Sequence, residues 1–225
     1  MTSHGEQIVV IGHSFVHWFD RFLQDNPEKD HDLAMGVGKV EYRGLRGGKS
    51  EEIFEKWGEL MKRKKPQAIV VVTGCNDIGE WDDGGEKARE LGRDIVKKAR
   101  DLQRGTGASV YLTELFPRYP PAPGKRNRGG RNRRPFNRLY NRNAEVVNGV
   151  LRMESDNVKE VSVWSHEFVA FPDGTEGNAD ASQSKYLMAQ GYFRPDGVHL
   201  NDAGNYQLYR SLGKLLKRRT PRRYE

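Results

Sequence analysis

The run Ala68–Thr73, AIVVVT, constrains this chain more than any other segment. Its residues are small or β-branched and apolar throughout, without the polar alternation of a half-exposed strand. A strand of that kind is buried on both faces, as in a parallel sheet covered by helices. Parallel strands need long crossovers, usually helical ones. The rest of the sequence supplies both kinds of segment. Gln7–Ile11, Lys39–Tyr42, Ser109–Leu115 and Val158–Trp164 read as further strands. Phe15–Leu23, Ser50–Lys62, Lys87–Arg104, Arg134–Met153 and Asp202–Leu216 read as helices. In the second of these, Ser50 is the expected cap, Glu51 and Glu52 suit the positive end, and Ile53, Phe54, Trp57, Leu60 and Met61 form a stripe. The repeated strand–helix order predicts an α/β fold with helices on both faces of the sheet. A length of 225 residues suits a single domain, and no internal repeat divides it.

Ligands in such folds bind beyond the C-terminal ends of the strands. The loops there carry the chemistry. Gly12-His13-Ser14 follows the first strand and offers a hydroxyl, with a backbone N–H at a helix start. The second strand leads into Arg43-Gly44-Leu45-Arg46-Gly47-Gly48-Lys49-Ser50, whose glycines allow a close backbone approach. Gly74-Cys75-Asn76-Asp77 ends the third strand with a side-chain amide. Near the C-terminus, Asp196-Gly197-Val198-His199 puts a carboxylate and an imidazole three positions apart. Acyl transfer through a serine needs a nucleophile, a base, a group that orients the base, and two or three donors for the oxyanion. Each part is present. Taken singly, each has an ordinary structural reading: a helix cap, a turn, a loop histidine.

In this order, spanning Gly12 to His199, the four blocks resemble those of the SGNH hydrolases, the GDSL-type esterase and lipase superfamily. The resemblance implies a three-layer α/β/α sandwich around a five-stranded parallel sheet, of flavodoxin-like type. It implies Ser14 as nucleophile, His199 as base and Asp196 as its orienter. It also implies an oxyanion hole from the Ser14 N–H, the Gly47 N–H and the Asn76 side chain, with Gly48 as the alternative glycine. The activity implied is hydrolysis of a carboxylic ester or thioester through an acyl-enzyme, without a cofactor. One position departs from the family: the first block usually reads G-D-S, and His13 stands in place of the aspartate. The GHSFV form, followed by an aromatic-rich helix, resembles more narrowly the SGNH-like domains encoded by animal retroelements.

Other readings of these loops are weaker. A phosphate-binding loop needs four residues between its glycines, and Gly44 and Gly48 enclose three. The histidines lack metal-ligand spacing, so no metal is expected. The lone cysteine, Cys75, excludes an intrachain disulfide and reads as a small buried residue. Arg46 and Trp81 are candidates for lining a substrate cleft. Trp18, Trp57 and Trp164 read as core or partly buried residues.

The net charge of +7 is uneven. Nine Lys/Arg and no Asp or Glu lie between Arg118 and Arg142, and the remainder is close to neutral. The segment Pro117–Arg134 is biased in Pro, Gly and Arg and is expected to form a mobile basic insert, joined by a basic tail over about 214–225. Arg118–Arg142, with Tyr119, Phe136 and Tyr140 for stacking, suggests a nucleic-acid contact. A nucleic-acid-binding scaffold with reduced or lost hydrolase activity is therefore the alternative to an esterase acting on a small-molecule or lipid ester. No segment reaches the length of a membrane span, and no secretory signal is evident, which points to an intracellular, cytoplasmic location. The sequence leaves the oligomeric state open.

Overall fold

The computed structural model of this protein describes residues 7–33, 39–79, 81–120, 133–156, 161–171 and 188–219. Five strands form one sheet: β1 (Gln7–Gly12), β2 (Lys39–Gly44), β3 (Ala68–Val72), β4 (Ser109–Thr113) and β5 (Val161–Trp164). Their order is β2-β1-β3-β4-β5, and every pairing is parallel. The helices are α1 (Ser14–Asp25), α2 (Ser50–Lys64), α3 (Glu86–Thr106), α4 (Arg133–Ser155) and α5 (Asp202–Arg219).

The apolar run that predicted a two-faced strand is the central one. Every residue of β3 is buried, whereas the edge strand β2 alternates. Side chains of β1 and β3 divide between two cores, as the two-residue period of a strand requires. Ile8, Val10, Val70 and Val72 face Phe19 and Leu23 of α1 and the α5 leucines Leu208, Leu212, Leu215 and Leu216. Val9, Ile11, Ile69 and Val71 face α2, α3 and α4 through Ile53, Ile95 and Val147. The result is a helix–sheet–helix sandwich, as expected.

Chain direction across the sheet reverses between β1 and β3, which opens a crevice at their C-terminal ends. The two strands approach closely there. A Cβ on Gly12 would overlap the Val72 carbonyl oxygen, so this position takes only glycine. Gly12 is in register with both Gly44 and Val72. Three loops therefore leave the sheet side by side.

Several expectations need correction. Ser50 does not cap α2; Lys49 occupies that position, and its N–H is held by Glu52 Oε2 at 2.8 Å. Ser50 is instead tied to Asp77, through its N–H and hydroxyl. The head of the expected basic loop is packed rather than solvated: Pro117 and Tyr119 are buried. The middle of that insert (121–132), the residues 158–160 expected to begin β5, and the tail from 220 onward lie outside the described residues. Among the described residues no helix is long and apolar enough to cross a membrane.

Candidate active site

The loops after β1, β2, β3 and β4 meet the segment before α5 around one cavity of about 740 Å³. Ser14, Arg46, Gly47, Asn76, Asp196 and His199 all line it. The sequence places these residues up to 185 positions apart, and the fold brings them together.

Ser14 is the first residue of α1, at the sharp exit from β1. Its hydroxyl lies 3.2 Å from His199 Nε2. The other ring nitrogen, Nδ1, lies 2.8 Å from Asp196 Oδ2. Asp196 is fixed in turn, because its Oδ1 accepts the N–H groups of Val198 at 2.8 Å and His199 at 2.9 Å. Partial burial pushes the Asp196 pKa up. The hydrogen bonds from the His199 ring and from the two backbone N–H groups outweigh it and hold the carboxyl well below the usual range. A stable carboxylate at Nδ1 keeps the proton on that nitrogen and leaves Nε2 as an acceptor facing Ser14.

The loop that carries this pair is built for one conformation. Arg194 donates its N–H to the His199 carbonyl at 2.6 Å, and the Gly197 N–H closes a turn on the Arg194 carbonyl at 2.8 Å. Asn201 caps α5 by accepting from the Gly204 N–H at 2.9 Å, and its amide also donates to the Gly191 carbonyl. Gly197 has φ +70°, and a Cβ there would overlap the carbonyl oxygen of Tyr119. Gly197→Ala is therefore expected to lower stability by about 2–3 kcal/mol and to displace His199 from Ser14. Urea denaturation read beside esterase assays checks both effects. A fully active, equally stable variant would contradict this account of the loop.

Gly47 and Asn76 line the same cavity as the serine. Gly47 lines the cavity with φ +72°, and no backbone group takes its N–H among the described residues. Gly48, the alternative glycine, is already engaged. Its N–H donates to the Leu45 carbonyl at 3.1 Å, and its carbonyl accepts from Asn76 Nδ2 at 3.0 Å. That bond fixes the Asn76 amide and uses one of its two N–H donors.

His13, where the family usually has aspartate, is 1% exposed. Its Nδ1 faces the Phe15 N–H at 3.5 Å, a long bond over the first turn of α1. Burial first, then the charges of His199 and Arg118, lower its pKa to about 3, so the ring is neutral. Asp77, next to Asn76, is a brace. Burial raises its pKa against the opposing bonds from Ser50, and those bonds hold the β3 loop to the start of α2. Cys75 is buried, which pushes its thiol pKa up and fits the structural role expected for it. Among the described residues no three His, Cys, Asp or Glu side chains cluster as metal ligands.

Some expectations fail here, and some residues were missed. Trp81 does not line the cavity. It packs at the edge of the α2–α3–α4 core, with its carbonyl accepting from Asn143 at 3.0 Å. Tyr119 and Tyr140, proposed as stacking platforms, are each 1% exposed, and their hydroxyls donate to the Ala170 and Phe116 carbonyls. Neither can stack on a base. The side chain of Phe136 lies outside the described residues. Arg118, the first residue of the basic run, turns into the cavity. There it donates to the Cys75 carbonyl at 3.0 Å and lies 4.1 Å from the centre of the Tyr140 ring. Trp18, read from the sequence as a core or partly buried residue, is partly buried and lines the cavity, as does Arg194, which the sequence reading did not single out.

Known proteins agree with this architecture. The chain is similar to a lipase/acylhydrolase from Enterococcus faecalis at 16% identity, covering 98% of this chain and 100% of that one, with a TM-score of 0.60. It is similar to a GDSL-like lipase from Bacteroides thetaiotaomicron at 15% identity, covering 95% and 88%, with a TM-score of 0.64. A carbohydrate acetylesterase from Sinorhizobium meliloti is similar at 14% identity, covering 94% and 98%, with a TM-score of 0.62. At such identities the likeness shows the fold alone. No curated protein matches the sequence significantly. The profile of the GDSL-like lipase/acylhydrolase family matches residues 10–207, and the chain belongs to that family.

Proposed function

We propose that this protein is a serine esterase that hydrolyses a carboxylic ester or thioester through an acyl-enzyme. The observation that carries the reading is His199 bridging the Ser14 hydroxyl and the Asp196 carboxylate at the wall of the cavity. His199 Nε2 takes the proton of Ser14 as Oγ attacks the carbonyl carbon. Asp196 fixes the tautomer and stabilises the imidazolium that forms. The tetrahedral oxyanion is received by the Ser14 N–H, the Gly47 N–H and the second N–H of Asn76. The imidazolium then returns its proton to the leaving oxygen. Water, activated by the same nitrogen, hydrolyses the acyl-enzyme.

His13 is compatible with this chemistry. A neutral ring leaves the first turn of α1 without a nearby negative charge, so nothing at position 13 opposes an oxyanion on the Ser14 N–H. A fluorophosphonate probe tests the assignment. The native chain is expected to be labelled at Ser14 and Ser14→Ala not at all, with intact mass spectrometry as the readout. Absence of labelling, together with equal turnover of p-nitrophenyl acetate by both proteins, would refute it.

A further inference from the structure

The cavity is lined by three guanidiniums and one carboxylate. The carboxylate, Asp196, is committed to His199 and two backbone N–H groups. Arg118 serves as a brace on Cys75 and Tyr140. The other two arginines differ from several on the rest of the surface. Arg43, Arg89, Arg142 and Arg152 each sit against an Asp or Glu. Among the described residues Arg46 and Arg194 have no such partner. Both are drawn instead to the ring of Trp18. The guanidinium carbon of Arg46 lies 5.3 Å from the ring centroid, and that of Arg194 lies 4.9 Å away. Two like charges sharing one indole repel each other, and an anion between them would relieve that repulsion. Arg194 is also pre-oriented, since its Nε is held by the Leu200 carbonyl at 3.0 Å and its terminal nitrogens remain for a ligand. Trp18 meets the His199 ring edge-on, with centroids 6.5 Å apart.

Resting on the esterase reading above, we propose that the alcohol half of the substrate carries a phosphate or carboxylate, bound by Arg46 and Arg194 beside Trp18. The side follows from the proton path. His199 returns its proton to the leaving oxygen, so the leaving alcohol lies against His199, and Trp18 with its two arginines lies next to His199. Ser14 Oγ bonds to the acyl carbon, the bond from that carbon to the alcohol oxygen breaks, and the alcohol departs protonated with its anion. Water then releases the acyl group as a free acid.

The test compares esters that differ by one anionic group. Acetylated glycerol phosphate and glycerol monoacetate place the charge in the alcohol. A p-nitrophenyl hemisuccinate and p-nitrophenyl butyrate place it in the acyl half. The expected result is a kcat/KM about 10–100-fold higher for acetylated glycerol phosphate than for glycerol monoacetate, carried mainly by KM and shrinking as salt is raised. In Arg46→Gln and in Arg194→Gln the ratio should fall about tenfold, with Arg194→Lys recovering part of it. Circular dichroism separates loss of the ratio from loss of fold. A second arm is independent of turnover: glycerol 3-phosphate titrated into Ser14→Ala should bind, and adding Arg46→Gln or Arg194→Gln should weaken binding about tenfold. Equal rates for the charged and neutral acetates, with Ser14-dependent turnover of p-nitrophenyl acetate intact, overturn the anion site and leave the esterase reading standing. Preference for the hemisuccinate overturns the assignment to the alcohol half. Failure of every ester refutes the esterase reading, and the binding arm then decides the anion site alone.

Discussion

Asp196→Asn is expected to lower kcat on a short aryl ester by about 10⁴-fold without disturbing the fold. The reason lies in how the carboxylate is held. Oδ1 accepts two backbone N–H groups, from Val198 and His199, while Oδ2 faces His199 Nδ1. An asparagine keeps its oxygen on the two backbone donors, because the reverse orientation would set N–H against N–H. Its amide nitrogen then faces Nδ1 and donates to it. The ring proton moves to Nε2, the atom that should accept from Ser14, and the base is lost while the geometry survives. Ser14→Ala and His199→Ala should each cost about 10³–10⁶-fold, and combining them should add little, since the groups act as one unit. Single-turnover rates, with circular dichroism as a control on folding, check the series. Additive losses, or an Asp196→Asn variant within tenfold of wild type, would show that these residues do not act together.

The sequence exposed those parts of the site that topology dictates and concealed those that packing dictates. Ser14, Gly47 and Asn76 sit just past strand ends, and the apolar run of β3 with the strand–helix alternation was enough to put all three at one edge of a parallel sheet. Asp196 and His199 are three positions apart, so local spacing carried their pairing. Trp18 and Arg194 are different. Their contact joins the exposed side of α1 to the turn before α5, and no local pattern encodes a guanidinium lying over a ring. Arg118 was hidden by its company. It opens a run of basic residues whose composition suggests a solvated loop, yet Asn141 clamps its backbone N–H at 2.7 Å and its carbonyl at 2.9 Å, and its side chain points inward. Charge counts say how much charge a segment has and nothing of where each side chain is aimed. Tyr119 and Tyr140 make the same point: in a basic stretch they resemble stacking platforms, and in the fold they are core. Ser50 looked like a cap because it begins a helix, and its hydroxyl serves Asp77 across 27 residues instead.

The second large effect is expected on stability in mild acid. His13 and His166 are both buried, 1% and 3% exposed, and lie near the two ends of an aromatic stack. Phe15 and Phe116 stack with centroids 4.5 Å apart, His13 meets Phe15 edge-on, and His166 lies 5.0 Å from Phe116. Burial lowers the pKa of each to about 3; for His13 the charges of His199 and Arg118 add to it. In the unfolded chain a histidine binds its proton near its ordinary value of about 6.5. Below that pH the unfolded state takes up protons that the native state refuses, so stability falls as pH falls and levels off only near 3. Each histidine contributes a slope of about 1.4 kcal/mol per pH unit, and at pH 4.5 the pair removes roughly 5 kcal/mol. A domain of this size has only about 5–15 kcal/mol to lose, so unfolding is expected in the range of about pH 4–5. Asp196 adds to the loss only below its ordinary range, where its depressed pKa keeps it charged in the native state alone, and its partial exposure screens that contribution. Urea denaturation midpoints between pH 7.5 and 4.5 measure the slope. His166→Phe should halve it without touching the cavity, since His166 does not line it. A pH-independent midpoint across that interval, or an unchanged slope in His166→Phe, would mean that these rings accept protons in the folded state.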